Sequence, residues 1–502
     1  MSNRTFIRRR DIGFRLVRAF ALVSVVADAQ STQLPTDVAF LMPTASAPVE
    51  IPADDKTSQE RWHKQIEEYM KLPADQVTAH PAATDFPGAV PADAQAVSQE
   101  VTVALNLPRW HSTGLYAAPG AHITVRVSPA DAARGFSVQI GSHTDNLAAL
   151  SKWVRFPRIT RSFPITQTVT TIANAFGGLI YVDVPRNESL GGWNVPTFGG
   201  YGWLGENPSA VPGTAKLRIE GAVAAPLFIA GKTTPEQWKS QLQRCRAPWG
   251  ELQSERVILT VESKHLDAVS DPNALLEFWG KVIDAEAQLA GWPRQPAPPE
   301  RIVVDREISA GWMHSGYPIM AHLPSEHDLL KLPALQTKGD WGFFHELGHN
   351  HEAEAYTFGG DYVEVNVNLF SMYVMQKVVG REMTAHPNLA HLDRLLEARL
   401  GPQKKNDPWG NLAMYIKTIQ AFGWDPLQKT MASYSTPDGS AGIKTREQKM
   451  DQWVLRYSLA TGKNLVAYYD LFDVTCSQNT KVALKDLPIW MPPDLVKYGK
   501  RS

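Results

Sequence analysis

Residues 345–349 read His-Glu-Leu-Gly-His. On a helix, positions four apart lie one turn apart on one face, so His345 and His349 can aim two imidazoles at a single ion. Zinc accepts such nitrogens at about 2.0–2.1 Å. Glu346 falls beside that ion and not on it, placed to take a proton from water held there. Gly348 leaves room for a close neighbour. Histidine is scarce here, 14 of 502 residues, so this spacing is an uncommon accident, and the pattern predicts one zinc ion per chain.

A catalytic zinc needs a third protein ligand and an open position. The extended metzincin pattern would put Gly at 352 and His at 355; the chain has Glu352 and Ala355 there. Glu352 shares the histidine face, but at 1.5 Å per residue it lies about 10 Å along the axis from His345. His351 is two residues past His349 and points elsewhere. A ligand from a second helix fits better. The loop Tyr356-Thr-Phe-Gly-Gly360 turns the chain, and Glu364 then opens an apolar-periodic helix carrying Val365, Leu369, Met372 and Tyr373. Glu364 is the preferred third ligand, with Asp361 in reserve. Asn368 follows Glu364 by one turn and can hydrogen-bond substrate or orient a ligand. Gly360 and Asp361 in the same loop are further candidate substrate contacts.

These residues need a frame. Asp340 is a plausible N-cap for the motif helix, and Trp341, Phe343, Phe344 and Leu347 give it a packing surface. Further helices are expected near 364–379, 387–400, 410–421, 446–460 and 463–472. Upstream, Asp271-Pro272 opens a helix that runs to Gly291, preceded by a strand at 256–261. Before that the pattern changes. Alternating runs at 121–127, 135–140 and 179–184, with more strand near 216–231, are punctuated by Gly and Pro. The expected architecture is multidomain: a β-sandwich-like domain over 100–230, then an α+β, mainly helical, zincin-type catalytic domain over 231–502. Residues 30–99 are rich in Ala, Pro, Asp and Thr and read as a linker or loose N-terminal arm, with one helix over 61–72.

The net charge is −1 and there is no basic run with interleaved aromatics, which argues against a nucleic-acid partner. No stretch after residue 30 is long and apolar enough to span a bilayer. Arg8 to Arg10, the apolar run 19–26 and Ala27-Asp28-Ala29 together read as a signal peptide over 1–29, giving a secreted, periplasmic or cell-surface protein. Two cysteines, Cys245 and Cys476, are too few for a disulfide scaffold, and whether they pair is open.

Three blocks carry a resemblance: His345-Glu-Leu-Gly-His-Asn-His351, Tyr356-Thr-Phe-Gly-Gly360 and Glu364-Val-Asn-Val-Asn-Leu-Phe-Ser371. They resemble the enhancin-like, mucin-degrading zinc metallopeptidases of gluzincin type. The likeness extends to Thr113–Gly120, Gln139–Asn146, Arg155–Arg158, Phe176–Tyr181, Gly311–Met320 and Asp470–Phe472, roughly 110–490 in all. It implies His345, His349 and Glu364 as zinc ligands and Glu346 as general base. It also implies cleavage of peptide bonds in O-glycosylated, mucin-type proteins, with the glycan read at the site. Trp312, Trp341 and Tyr317 are candidate platforms for a sugar, since aromatic faces pack on sugar rings. Tyr317, Tyr362 and His314 are candidate donors to the oxyanion. A glycan-indifferent endopeptidase and a non-catalytic glycan- or protein-binding relative are the alternatives.

Overall fold

The computed structural model describes residues 37–38, 41–52, 54–185, 213–292 and 298–499, and the backbone alone of 193–197 and 200–204. The expected signal peptide lies outside the described residues.

The first unit is sheet-rich. Its strands are β1 (Ala96–Ala104), β2 (Arg109–Ala117), β3 (His122–Val127), β4 (Ser137–Ile140), β5 (Arg161–Pro164), β6 (Val169–Ala173), β7 (Gly178–Val184) and β8 (Thr214–Ala224). They form one hydrogen-bonded ladder in the order β5-β4-β7-β2-β8-β3-β6, with β1 also paired to β8. The β1–β8 register shifts between Glu220 and Ala222. Gly221 sits at that bulge with φ +91°, and a Cβ there would lie 3.0 Å from the His122 carbonyl oxygen, so the bend requires glycine. Alternation sends one face of the strands into a single apolar cluster that includes Leu115, Val125, Val138, Val182 and Leu217. Tyr116 and Tyr181 leave the opposite face and enter the core of the second unit.

The second unit begins with a six-stranded sheet. Its strands are β9 (Leu227–Ile229), β10 (Trp249–Gln253), β11 (Val257–Glu262), β12 (Glu300–Asp305), β13 (Met313–His314) and β14 (Ile319–His322). The order is β9-β10-β11-β12-β14-β13; β11, β12 and β14 run parallel, and β13 is an antiparallel edge. The central parallel strands are buried on both faces, as their continuous Val/Ile/Leu runs require. A long helix, Pro272–Ala290, packs against β10 and β11 on one side and against the motif helix on the other. Asp271 caps it by accepting from Ala274 N, and Gly291 ends it at φ 72°. Helices then dominate: Trp341–His351, Asn368–Lys377, Leu392–Leu400, Pro408–Phe422, Asp425–Ala432 and Arg446–Thr461.

Several boundaries moved. The expected helix over 364–379 is two pieces, Val363–Asn366 and Asn368–Lys377, with Glu364 itself non-helical at φ −91°, ψ 17°. The one expected near 387–400 begins as a helix only at Leu392, and that near 463–472 shrinks to Val466–Asp470. The largest difference is the N-terminal arm. A helix spans Lys56–Tyr69, capped by Asp55, and it buries Trp62 and Ile66. Trp62 packs edge-on against Trp153, and the Trp249 indole N–H donates to the Pro87 carbonyl at 2.8 Å. The stretch 41–86 is therefore part of the core. Its Ala and Pro content hid this, because a few large side chains such as Trp62 and Phe86 do the anchoring.

Candidate metal centre

The motif helix, Trp341–His351, starts where Asp340 accepts from Phe343 N at 3.0 Å. Phe343 and Phe344 pack edge-on against Trp279 of the long helix, which fixes the rotation of the histidine face. Gly348 faces the neighbouring helix pair: a Cβ there would come 2.9 Å from Phe370 Cβ and 3.1 Å from Val367 Cγ2. That close approach brings Glu364 beside the histidines.

His345, His349 and Glu364 place one donor atom each within 4.8 Å of one another. Glu364 Oε2 lies 3.0 Å from His345 Nε2 and 3.7 Å from His349 Nε2. A tetrahedral zinc with arms of about 2.0–2.1 Å spaces its ligand atoms about 3.3 Å apart. The two distances bracket that value, and two imidazoles with one carboxylate suit a catalytic zinc, so the residues fit the ion.

Each histidine is held from behind. His345 Nδ1 donates to Asn368 Oδ1 at 3.2 Å, and His349 Nδ1 donates to Glu352 Oε1 at 2.7 Å. With Nδ1 engaged behind each ring, Nε2 is the nitrogen turned toward Glu364 in the donor cluster. Asn368 is itself locked, accepting from Trp341 Nε1 at 2.8 Å and donating to the Glu364 carbonyl at 2.7 Å. It is buried, with its oxygen and its amide nitrogen both engaged. Helix spacing puts Glu352 too far from His345 to share an ion with it. The structure agrees that it stands outside the donor cluster, but puts it on the back of His349, fully buried. It reaches that position as the C-cap of the motif helix, where the chain turns extended at φ −74°, ψ 124°.

Electrostatics follow from this packing. Burial opposes ionisation of Glu364, yet the hydrogen bonds and charges of His345 and His349 outweigh it and hold the carboxyl well below its ordinary value. Burial also opposes charge on His349, but Glu352 and Glu364 push its pKa up to about 10. Burial raises Glu346, with His345 and His349 acting against the rise.

The remaining candidates are spread out. Tyr362 is buried, and its hydroxyl donates to the Phe472 carbonyl at 3.0 Å. Tyr317 stacks edge-on with Trp110 and lies under Arg109, at the junction of the two units. His314 has both ring nitrogens engaged, by Ser315 O at 2.9 Å and Asp145 Oδ2 at 2.8 Å. Trp312 is exposed (52%), with one face toward His322. Trp341 packs among His386 and Trp409. Gly360 and Asp361 lie in the turn Gly360–Tyr362, where Gly360 has φ +55°; the Asp361 side chain lies outside those described. Cys245 and Cys476 are free thiols. A second group, Glu262, His265 and Glu326, also brings donors within 4.8 Å. There Lys264 Nζ sits 2.8 Å from Glu262 Oε2, and Glu326 accepts from Glu262 N and His265, which makes it an ion-pair network. No described helix is long and apolar enough to cross a membrane.

TRPM8 channel-associated factor 2 of Homo sapiens is 37% identical over 395 residues, covering 78% of this chain and 40% of that protein. The chain thus spans well under half the length of that relative. Among solved structures, a conserved protein of unknown function from Bacillus anthracis str. Ames superposes with TM-score 0.63 at 20% identity, covering 78% of this chain and 80% of that one. IMPa from Pseudomonas aeruginosa, solved in complex with an O-glycopeptide, superposes with TM-score 0.57 at 16% identity, covering 87% and 60%. The N-terminal domain of M60-like peptidases matches residues 92–196. Peptidase M60, enhancin and enhancin-like, matches residues 221–473, a span that contains every residue of the donor cluster, and the chain belongs to that family.

Proposed function

We propose that this chain is a zinc metallopeptidase that hydrolyses peptide bonds in O-glycosylated, mucin-type proteins. The observation that carries the reading is the donor cluster of His345, His349 and Glu364, with Glu346 next to the first ligand in sequence. His345 Nε2, His349 Nε2 and Glu364 Oε2 would hold the metal. Bound there, zinc supplies Lewis acidity toward a carbonyl and makes water a nucleophile near neutral pH. The chain's residues do the rest. Glu346 accepts the proton of the attacking water and delivers it to the departing amine. Asn368 and Glu352 keep the two imidazoles in register. Asp361 is kept as a reserve ligand and, with Gly360, Trp312 and Tyr317, as a candidate for substrate contact.

The substrate class is supported by the fold shared with IMPa, whose structure contains an O-glycopeptide. In domain terms, 100–230 is read as sandwich-like and 231–502 as a zincin-type catalytic unit. The segment 1–29 is read as a signal for export, placing the enzyme outside the cytoplasm.

A second reading, a non-catalytic protein-binding relative, draws on the likeness to a channel-associated factor. One experiment separates them. The full chain is incubated with a mucin-type glycoprotein, with and without a zinc chelator, and with the same protein stripped of glycans. Chelator-sensitive cleavage of the glycosylated form alone supports the proposal. Cleavage of both forms indicates a glycan-indifferent endopeptidase, and none indicates the binding reading.

A further inference from the structure

Strand β13 (Met313–His314) is the edge of the second sheet, paired on its inner side to β14. Among the described residues its outer side has no strand partner, and such an edge offers N–H and C=O groups on which an extended peptide can add as a further strand. This edge lies against the start of the motif helix: a Cβ on Gly342 would sit 3.2 Å from Met313 Sδ. Yet β13 is only two residues long, too short to hold its own position.

It is held from the other unit. Asp145 follows β4, and its Oδ2 accepts from Ser309 N at 2.6 Å and from His314 Nε2 at 2.8 Å. His314 Nδ1 donates to Ser315 O, so both ring nitrogens carry protons and the contact to Asp145 is charge-assisted. The loop of Asp145 is anchored in turn. Arg155 Nη2 donates to the Asp145 carbonyl at 3.3 Å, and the Arg155 guanidinium makes a two-point, fully buried pair with Asp305 at 2.8 and 2.7 Å. Asp305 ends β12. The series Asp305, Arg155, Asp145, His314 thus leaves the second sheet, crosses the first unit and returns to the edge strand. Val154 N, donating to Glu307 Oε2 at 2.5 Å, pins the same loop, and Arg306, paired with Asp85, ties the segment after β12 to the N-terminal segment.

We propose that Asp145 is a positioning residue of the peptidase site: acting through His314, it sets the spacing between edge strand β13 and the metal helix, and with it the register in which a substrate segment reaches Glu346. This rests on the peptidase reading above. It makes the sheet-rich unit a working part of the site.

The test compares the full chain with Asp145→Ala, Asp145→Asn, His314→Ala and the Asp145→Ala/His314→Ala pair, by amide hydrogen exchange and by kinetics on an O-glycopeptide. Asp145→Ala is expected to raise exchange over 309–314 while 302–304 stays protected. It should raise KM about tenfold with kcat changed by less than about threefold, at unchanged zinc content. Asp145→Asn keeps an acceptor and should fall between; it also carries the test if the alanine variant does not fold. The double variant should be no worse than His314→Ala alone. Unchanged exchange and KM, additive effects in the double variant, or loss of protection throughout the chain would overturn the proposal. If the wild type cleaves nothing, the peptidase reading fails, and the exchange measurement still decides the Asp145–His314 couple.

Discussion

His349 turns Nδ1 to Glu352 Oε1 at 2.7 Å and Nε2 toward Glu364 Oε2 at 3.7 Å, so one buried ring links a carboxylate behind it to the donor cluster in front. Partners of this kind fix a ligand's tautomer and raise its basicity, and their loss typically costs about 10–100-fold in metal affinity. Glu352→Ala is expected to weaken zinc binding by about that range, read by competition with a chromophoric chelator. Glu352→Gln retains an acceptor and should lose less. Wild-type zinc affinity in the alanine variant would sink the assignment.

Asn368 is the corresponding support for His345, and it serves Trp341 as well through the same oxygen. Asn368→Leu leaves two donors without an acceptor, each worth about 1–3 kcal/mol when buried. The expected result is a clear drop in thermal stability of the metal-free chain, together with weaker zinc binding. A loss of zinc affinity with no change in apo stability would contradict the shared-acceptor geometry.

The sequence was most informative where chemistry demands spacing. The four-residue interval between His345 and His349 follows from helix geometry, and Glu364 could be reached by asking which nearby element offers a third donor. Glu352 could not, because its role depends on the chain leaving helical geometry at that residue, with φ −74° and ψ 124°. Nor could the break at Glu364, which interrupts an unbroken apolar periodicity. The N-terminal arm was misread for a different reason. Composition averages over a segment, whereas Trp62 and Phe86 anchor it by burying a few large rings. Contacts between units, such as Asp145 with His314, are separated by 169 residues and leave no local pattern.

Glu346 separates binding from turnover. It is partly buried, and that burial raises its pKa while His345 and His349 act against the rise. Glu346→Gln preserves shape and removes the base. It is expected to retain stoichiometric zinc and lose about 10²–10⁴-fold in turnover, the usual worth of a positioned general base. Elemental analysis and a cleavage assay check the two halves. Near wild-type turnover in this variant would remove Glu346 from the mechanism.

Gly348 tests the packing that delivers Glu364. An added methyl would meet Phe370 Cβ at 2.9 Å, Val367 Cγ2 at 3.1 Å and Val367 O at 3.2 Å, and backbone cannot yield as a flexible side-chain tip does. Overpacking of this kind costs about 1–3 kcal/mol. Gly348→Ala should therefore lower the melting temperature and also weaken zinc binding, because the strain is relieved by moving the Val363–Asn366 segment off the motif helix. Destabilisation with unchanged zinc affinity would show that the ligand spacing does not depend on this contact.

The Asp145–His314 couple gives a pH signature with a definite sign. Burial opposes charge on both groups, but Asp145 holds His314 above its ordinary value, and His314 with Ser309 holds Asp145 below its own. A raised histidine adds stability that is complete below its unfolded value, about 6.5, and is lost as pH climbs through the higher folded value. A lowered aspartate adds stability above about 3.9 that is lost as pH falls through the lower folded value. The couple therefore contributes most between about pH 4 and 6.5. His314→Gln cannot carry the charge, so its melting temperature should trail the wild type by about 1–3 °C near pH 6, with the gap closing toward pH 9 and again below pH 3. Glu346 also faces His314 and favours its charge, so the same comparison is made in the Glu346→Gln background, where the gap at pH 6 should shrink but persist. A gap that stays constant from pH 6 to pH 9 would mean that His314 is neutral in the folded chain and that its bond to Asp145 is an ordinary one.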